Sequence, residues 1–228
     1  MTRGNPSIRI SMLKTLFIVR HGESEWNHAR RIQGHLDSPL SKHGRQQAKL
    51  LGKLLPGKLD VVLSSDLSRA LQTAELSTGL PRENISITPH LREIGFGNWE
   101  GMSPEEVKEK YPEDWEQFRR DPINGRPSYA ESTASLSDRV NQLLESLHRQ
   151  YPGRKAACYT HGGVVRMLLI NILGLPPACW RTLRVANTGL TRVDFSEDAQ
   201  PLLVYYNVTT HLVDFDVPEE IEKEETDA

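Results

Sequence analysis

Short apolar runs alternate with longer amphipathic stretches along most of the chain. TLFIV (15–19) is a compact β-branched run and reads as a buried strand. SKHGRQQAKLLGKLL opens on Ser41, a favourable N-cap, and then places Ala48, Leu51 and Leu55 on one helical face. LDVVLSS (59–65) is a second strand. DLSRALQTAELS predicts a helix with Leu67, Ala70, Leu71 and Ala74 in register, and ISIT (85–88) a weaker strand. SLSDRVNQLLESLHRQ repeats Leu136, Val140, Leu143, Leu144 and Leu147 at helical spacing. KAACYT (155–160) is a strand, and GVVRMLLINILG is apolar nearly all round, the pattern of a buried helix. LTRVDF and PLLVYYNV are two late strands, a hairpin around Glu197-Asp198-Ala199-Gln200. Residues 97–131 are polar and carry Pro104, Pro112, Pro122 and Pro127, which predicts an inserted lid or subdomain. Strands alternating with helices predict an α/β sandwich around a mostly parallel sheet.

Composition narrows the picture without adding a function. A chain of 228 residues suits one domain, read as 12–216, with flexible tails at 1–11 and 217–228. That length buries roughly 70% of the unfolded surface, so no staples are needed. The net charge of −2 gives no basic excess to hold nucleic acid or an acidic membrane. The first eleven residues lack the apolar core of a signal peptide, and no apolar run reaches membrane-spanning length. The two cysteines, Cys158 and Cys179, form no disulfide framework and no CxxC pair, which fits the reducing cytoplasm.

Three strands end on unusual residues. The first ends in Arg20-His21-Gly22, and charged groups are expensive to desolvate unless something pairs with them. The second ends in Ser64-Ser65-Asp66, with Arg69 one helical turn further on. The strand at 155–160 ends in His161-Gly162-Gly163. Ligands of open α/β sheets bind at the carboxyl ends of strands, so two histidines and two arginines would meet in one crevice. Arginine forks match phosphate bidentately, and the helix opening on GGVVRML turns its positive end to the same place. A glycine after each histidine would let backbone N–H groups approach a ligand closely. Each piece alone has a plain structural explanation. Their coincidence at strand ends points to an oxyanion cradle.

The chain resembles the histidine phosphatase superfamily, the group that includes cofactor-dependent phosphoglycerate mutase. The likeness rests on VRHGESEWN, RIQGHLDSPLSKHGRQQA, LSSDLSRALQTAE, LREIGFGNWEG and THGGVVR. It implies a three-layer α/β/α sandwich with a mainly parallel central sheet. It implies His21 as a nucleophile that becomes phosphohistidine, with Arg20, Arg69 and His161 completing a phosphate pocket. Asn27, Gln33 and Gly162 fall at pocket-lining positions, Glu93 at that of the proton donor, and 97–131 forms part of the cover over the site. Ala130-Glu131-Ser132 stands where members often carry Gly-Glu-Ser. Phe96 replaces a histidine common in phosphoserine phosphatases.

The chemistry is coherent with that resemblance. Imidazole is nucleophilic only when unprotonated, so its tautomer must be fixed through the other nitrogen. A leaving alkoxide needs a proton, and a carboxyl beside a phosphate dianion is held protonated by like charge. Phosphoryl transfer asks chiefly for positioning and charge stabilisation, which cationic side chains supply. His28, His35, His43 and His90 are scattered, with no HExxH and no ligand cluster, so neither metal nor other cofactor is expected. Three readings follow. The chain is a phosphomonoesterase of small phosphorylated metabolites, of broad-specificity, phosphoserine or alpha-ribazole phosphatase type; a phosphoglycerate mutase; or an idle phosphate-binding module. Mutases of the family carry a longer insertion than residues 94–160 provide, which favours the first. A homodimer is compatible with all three.

Overall fold

The computed structural model describes residues 12–196, 199–213 and 215. The first strand, β1 (Thr15–Arg20), leads to a single-turn helix α1 (Glu25–His28) and then to α2 (Lys42–Leu51). Strand β2 (Val61–Ser64), helix α3 (Ser68–Thr78) and the two-residue strand β3 (Ser86–Ile87) follow. Two short helices, α4 (Pro104–Lys110) and α5 (Pro112–Arg120), precede the long α6 (Thr133–Gln150). The chain continues through β4 (Lys155–Thr160), α7 (Gly162–Leu173), β5 (Leu190–Ser196) and β6 (Ala199–Val208).

Six strands form one sheet in the order β3-β2-β4-β1-β5-β6. The first four of that order run parallel, while β5 and β6 are antiparallel additions at one side. The sheet is mixed and mainly parallel, as the sequence predicts: four of its six strands run parallel. The expected hairpin is β5–β6, although residues 197 and 198 at its turn fall outside the described residues, as do the proposed tails at 1–11 and 217–228. Among the described residues no helix is long and apolar enough to cross a membrane.

Strand periodicity explains the two faces. In β1, Leu16 and Ile18 pack with α6 and α7, while Phe17 and Val19 pack with α2 and α3. In β4, Ala156 and Cys158 face the first set, and Ala157 and Tyr159 the second. Both faces of these central strands are covered, which is why they read as unbroken apolar runs. The apolar stripe of α6 (Leu136, Val140, Leu143, Leu144 and Leu147) is buried against the sheet and α7. Each such side chain is worth about 1.5–3 kcal/mol relative to exposure.

The insertion is more ordered than its prolines suggested. Pro104 and Pro112 begin α4 and α5, positions where the missing N–H has no helical partner anyway. Ser103 and Glu106 form a capping box on α4. Trp99, Val107 and Phe118 make a small separate core, with the Trp99 and Phe118 rings edge to face at 5.3 Å. Ala130 takes an ordinary backbone conformation; the left-handed residue in that turn is Tyr129, with φ 61°. Alanine in place of glycine at 130 is thus accommodated.

Candidate active site

Parallel pairing brings the three strand ends to the same edge. Arg20 lies opposite Thr160 in the β1–β4 register, and Ser64 opposite Tyr159 in the β2–β4 register. The residues just beyond, His21, Ser65 and His161, consequently stand side by side. The His21 and His161 rings are 5.0 Å apart at a tilt of 58°. His21 is 2% exposed, and His161 and Arg69 are wholly buried.

His21 has its tautomer set by the adjoining backbone. Its Nδ1 lies 2.6 Å from the Gly22 carbonyl oxygen. A carbonyl only accepts, so Nδ1 carries the hydrogen and Nε2 keeps its lone pair. Burial, then the cationic Arg69 and Arg20, hold the ring well below its ordinary histidine value. The residue is a neutral imidazole with an available nitrogen at neutral pH.

Its loop is fastened from several elements. The Gly22 N–H donates to Thr73 Oγ1 of α3 at 3.0 Å, and the Glu23 N–H to Gln47 Oε1 of α2 at 2.9 Å. Asn187 Nδ2, in the turn before β5, donates to the His21 carbonyl at 2.9 Å. Thr188 adopts the left-handed conformation beside it (φ 53°), a rare choice for a β-branched residue. A Cβ on Gly22 would lie 2.6 Å from the Gly44 carbonyl oxygen. That glycine therefore serves the crossing of loop and helix, and its N–H is already committed to Thr73. The expected close approach of that N–H to a ligand is not what the residue provides.

His161 is oriented from both sides. Arg69 Nε donates to its Nδ1 at 3.1 Å, so the hydrogen sits on Nε2, 3.0 Å from Ser65 Oγ. Burial, then Arg69, also keep this ring well below its ordinary value. Arg69 gives one hydrogen of each Nη to loop 33–37, Nη1 to the Leu36 carbonyl at 3.0 Å and Nη2 to the Gly34 carbonyl at 2.9 Å, which leaves one on each for a ligand. Burial pushes the guanidinium down to about 10, still cationic at neutral pH. Arg20, at the end of β1, donates through Nη1 to the Val185 carbonyl. An ideal Cβ built on Gly162 would lie 3.8 Å from Arg20 Nε, which puts this cation at the start of α7.

Asn27 and Gln33 meet at Ser24. Asn27 Oδ1 accepts from the Ser24 N–H at 3.1 Å and closes a capping box on α1. Ser24 Oγ lies 3.0 Å from Asn27 Oδ1 and 2.8 Å from Gln33 Oε1. With both amide oxygens turned to Ser24, their NH₂ groups are the donors left for a ligand.

Glu93 occupies the helix start that the sequence offered to an anion. Its Oε1 accepts from the Gly163 N–H at 3.1 Å and from the Ile94 N–H at 2.8 Å. A Cβ at Gly163 would come 2.5 Å from Oε1, so this glycine admits the carboxylate. The backbone of Glu93 is held as well: His35 Nε2 lies 2.9 Å and Arg139 Nη2 3.1 Å from its carbonyl oxygen. Arg139 also pairs with Glu131 at 2.7 Å, and Glu131 accepts from the Gly95 N–H. His35 is thus a brace at the rim. Trp99 packs in the insertion core, whereas Trp26 is half-buried with its ring edge near Gly101.

Residues 16–209 match the histidine phosphatase superfamily (branch 1). The chain belongs to that superfamily. Among its relatives is the "Probable phosphoglycerate mutase GpmB" of Yersinia enterocolitica, 37% identical over 187 residues, covering 80% of this chain and 85% of that one. Among solved structures, a phosphoserine phosphatase from Entamoeba histolytica in complex with 3-phosphoglyceric acid is 33% identical at a TM-score of 0.76, covering 87% of this chain and 99% of that one. The alpha-ribazole phosphatase from Shigella flexneri is 28% identical at a TM-score of 0.77, covering 86% and 96%. The α/β fold of this chain is that of its neighbours.

Every site residue named from the sequence lies on this edge of the sheet or on loops hydrogen-bonded to it. Thr73, Gln47, Asn187, Ser65 and Arg139 were not picked out as site residues. Thr73 had a faint signal, one turn after Arg69 on the same helix; Asn187 had none, being distant in sequence.

The buried rings carry a stability consequence. Unfolded histidine takes up a proton near pH 6.5, whereas folded His21 and His161 resist it, and burial pushes His211 down to about 4. Below that pH the unfolded state binds more protons, so stability falls as pH falls. The melting temperature is expected to drop between about pH 7 and pH 5. It should drop less in His211→Gln, which removes one of these groups. A flat melting profile over that window contradicts the neutral-ring assignment.

Proposed function

We propose that the chain is a metal-independent phosphomonoesterase acting on a small phosphorylated metabolite through a phosphohistidine on His21. The observation that carries this reading is the His21 tautomer: Nδ1–H on the Gly22 carbonyl, Nε2 free, and two arginines beside the ring. His21 Nε2 attacks phosphorus as the ester P–O bond breaks, and the departing alkoxide takes the Glu93 proton. The Glu93 carboxylate then takes a proton from water, whose oxygen displaces the histidine and releases phosphate. Arg20, Arg69, His161 and the amides of Asn27 and Gln33 hold the phosphoryl oxygens, with Gly162 at the helix start beside them. Preorganised donors of this kind stabilise charge as it develops.

The phosphatase neighbours support hydrolysis, while the relative's name favours the mutase reading. The insertion is short, with α4 and α5 as its two α-helices, and hydrolysis needs no external phosphate donor. Among the described residues no group of three or more His, Cys, Asp or Glu is arranged to hold a metal ion. Cationic side chains take that part. The test is release of inorganic phosphate from a panel of phosphomonoesters before and after exhaustive dialysis against EDTA. Equal rates are expected. Activity lost to EDTA and restored only by Mg²⁺ or Zn²⁺ would refute metal independence. Conversion of 3-phosphoglycerate to its isomer faster than phosphate release would favour the mutase.

A further inference from the structure

We infer that Glu100 is a positioning residue: it grips the loop whose carbonyls aim Arg69, and so sets where that guanidinium meets the phosphoryl group. The inference rests on the phosphomonoesterase reading of the site and deepens it. Arg69 is aimed by what its guanidinium touches. Nε faces His161, while Nη1 and Nη2 donate to the carbonyls of Leu36 and Gly34. The guanidinium is planar and rigid, so these partners also fix the direction of the Nη hydrogens left for a ligand. Both carbonyls lie on a turn outside every helix and strand. Their orientation therefore needs a support of its own.

Glu100 supplies it from the segment that follows Glu93. Its Oε1 accepts from the His35 N–H at 3.0 Å and the Phe96 N–H at 2.8 Å. Its Oε2 accepts from the Leu36 N–H at 3.2 Å, which is shared with the Gln33 carbonyl at 3.1 Å. The Gly34 carbonyl and the His35 N–H belong to one peptide unit. That unit is planar, with the two groups on opposite edges. Arg69 holds one edge and Glu100 the other, so tilting the plane moves the guanidinium's partner. Gly34 takes φ 52°, and a Cβ there would meet Glu100 Oε1 at 2.1 Å; the carboxyl fills the place of a side chain. Ile32 is paired through the backbone with Gly101 and Met102 at 2.8 and 2.9 Å. The two segments thus stay side by side without the carboxyl, which leaves Glu100 the finer task of orienting the turn.

The experiment uses Glu100→Gln, which keeps one oxygen but turns an NH₂ towards the remaining N–H. Orthovanadate, which adopts the five-coordinate geometry of phosphoryl transfer, and inorganic phosphate are titrated by calorimetry. The vanadate Kd is expected to rise about 10- to 100-fold, the range for displacing a reacting group by about an ångström, and the phosphate Kd less. Turnover should fall by one common factor on p-nitrophenyl phosphate and glycerol 3-phosphate, because the leaving group is not involved. A Kd does not depend on the fraction of protein that is folded, so partial unfolding is not mistaken for misaiming. In an Arg69→Ala background the same change should leave the vanadate Kd almost unmoved, since the two residues act as one unit. An unchanged vanadate Kd in Glu100→Gln overturns the inference. So does an equal rise with Arg69 absent, or a loss confined to glycerol 3-phosphate, which would place the effect on Glu93. A wild-type protein that binds vanadate yet releases phosphate from neither ester overturns the phosphomonoesterase reading, while the Kd comparison still decides the role of Glu100. No binding of vanadate by the wild-type protein overturns both.

Discussion

Replacing His21 with alanine is expected to abolish turnover, by at least about 10⁴-fold, while the protein stays folded. The size follows from its place in the sequence of bonds made and broken: without Nε2 there is no covalent intermediate. The remaining cations can bind phosphate, but water would then have to attack directly. The fold should survive because the loop is held by backbone atoms and other side chains. The Asn187 amide reaches the His21 carbonyl, and Thr73 and Gln47 hold the next two N–H groups. The wild-type protein, quenched during turnover, should yield a phosphoenzyme that is labile in acid and stable in base. Near-normal turnover by His21→Ala, with an unchanged circular dichroism spectrum, would reject the assignment.

The second large effect is at Glu93, and it depends on the leaving group. Glu93→Gln keeps one oxygen to accept the Gly163 N–H, so the start of α7 stays satisfied. What the amide lacks is the proton. An aliphatic ester leaves as a basic alkoxide and should lose roughly 10²-fold or more in kcat, within the usual range for a general acid. p-Nitrophenolate is already stable at neutral pH and should lose distinctly less. The measurement is the rate of phosphoenzyme formation with each substrate in rapid-quench experiments. Equal slowing would remove Glu93 from the role. His161 would then be the next candidate, through the Nε2 hydrogen that lies 3.0 Å from Ser65 Oγ.

Much of this molecule is written in local patterns. The all-apolar runs at 15–19 and 155–160 determine two-sided strands, and the spacing of Leu136 to Leu147 determines one face of α6. Polar residues set directly after such strands mark the edge where the candidate site lies. The family signatures point to His21, Arg69, Glu93 and His161, since each lies in a short contiguous motif, and the fold brings these four together. The insertion was less legible: its few apolar residues serve a small core of their own, and prolines that look like breakers begin helices.

Tertiary structure alone decided how those groups are held. Whether an imidazole nitrogen attacks or donates depends on what faces its other nitrogen. For His21 that is the neighbouring carbonyl; for His161 it is Arg69, distant in sequence. The group that caps the start of α7 is the Glu93 carboxyl, brought there by the chain's path rather than by any spacing. Arg126 is one charge among many in the polar stretch 97–131, and only the fold lays its guanidinium over the Phe96 ring. Hydrogen bonds and desolvation act over a few ångströms, whereas sequence patterns report only which face of an element is covered. The pattern therefore determined the scaffold and the edge at which the site lies, and three-dimensional proximity decided the protonation state, orientation and pairing of each group within it.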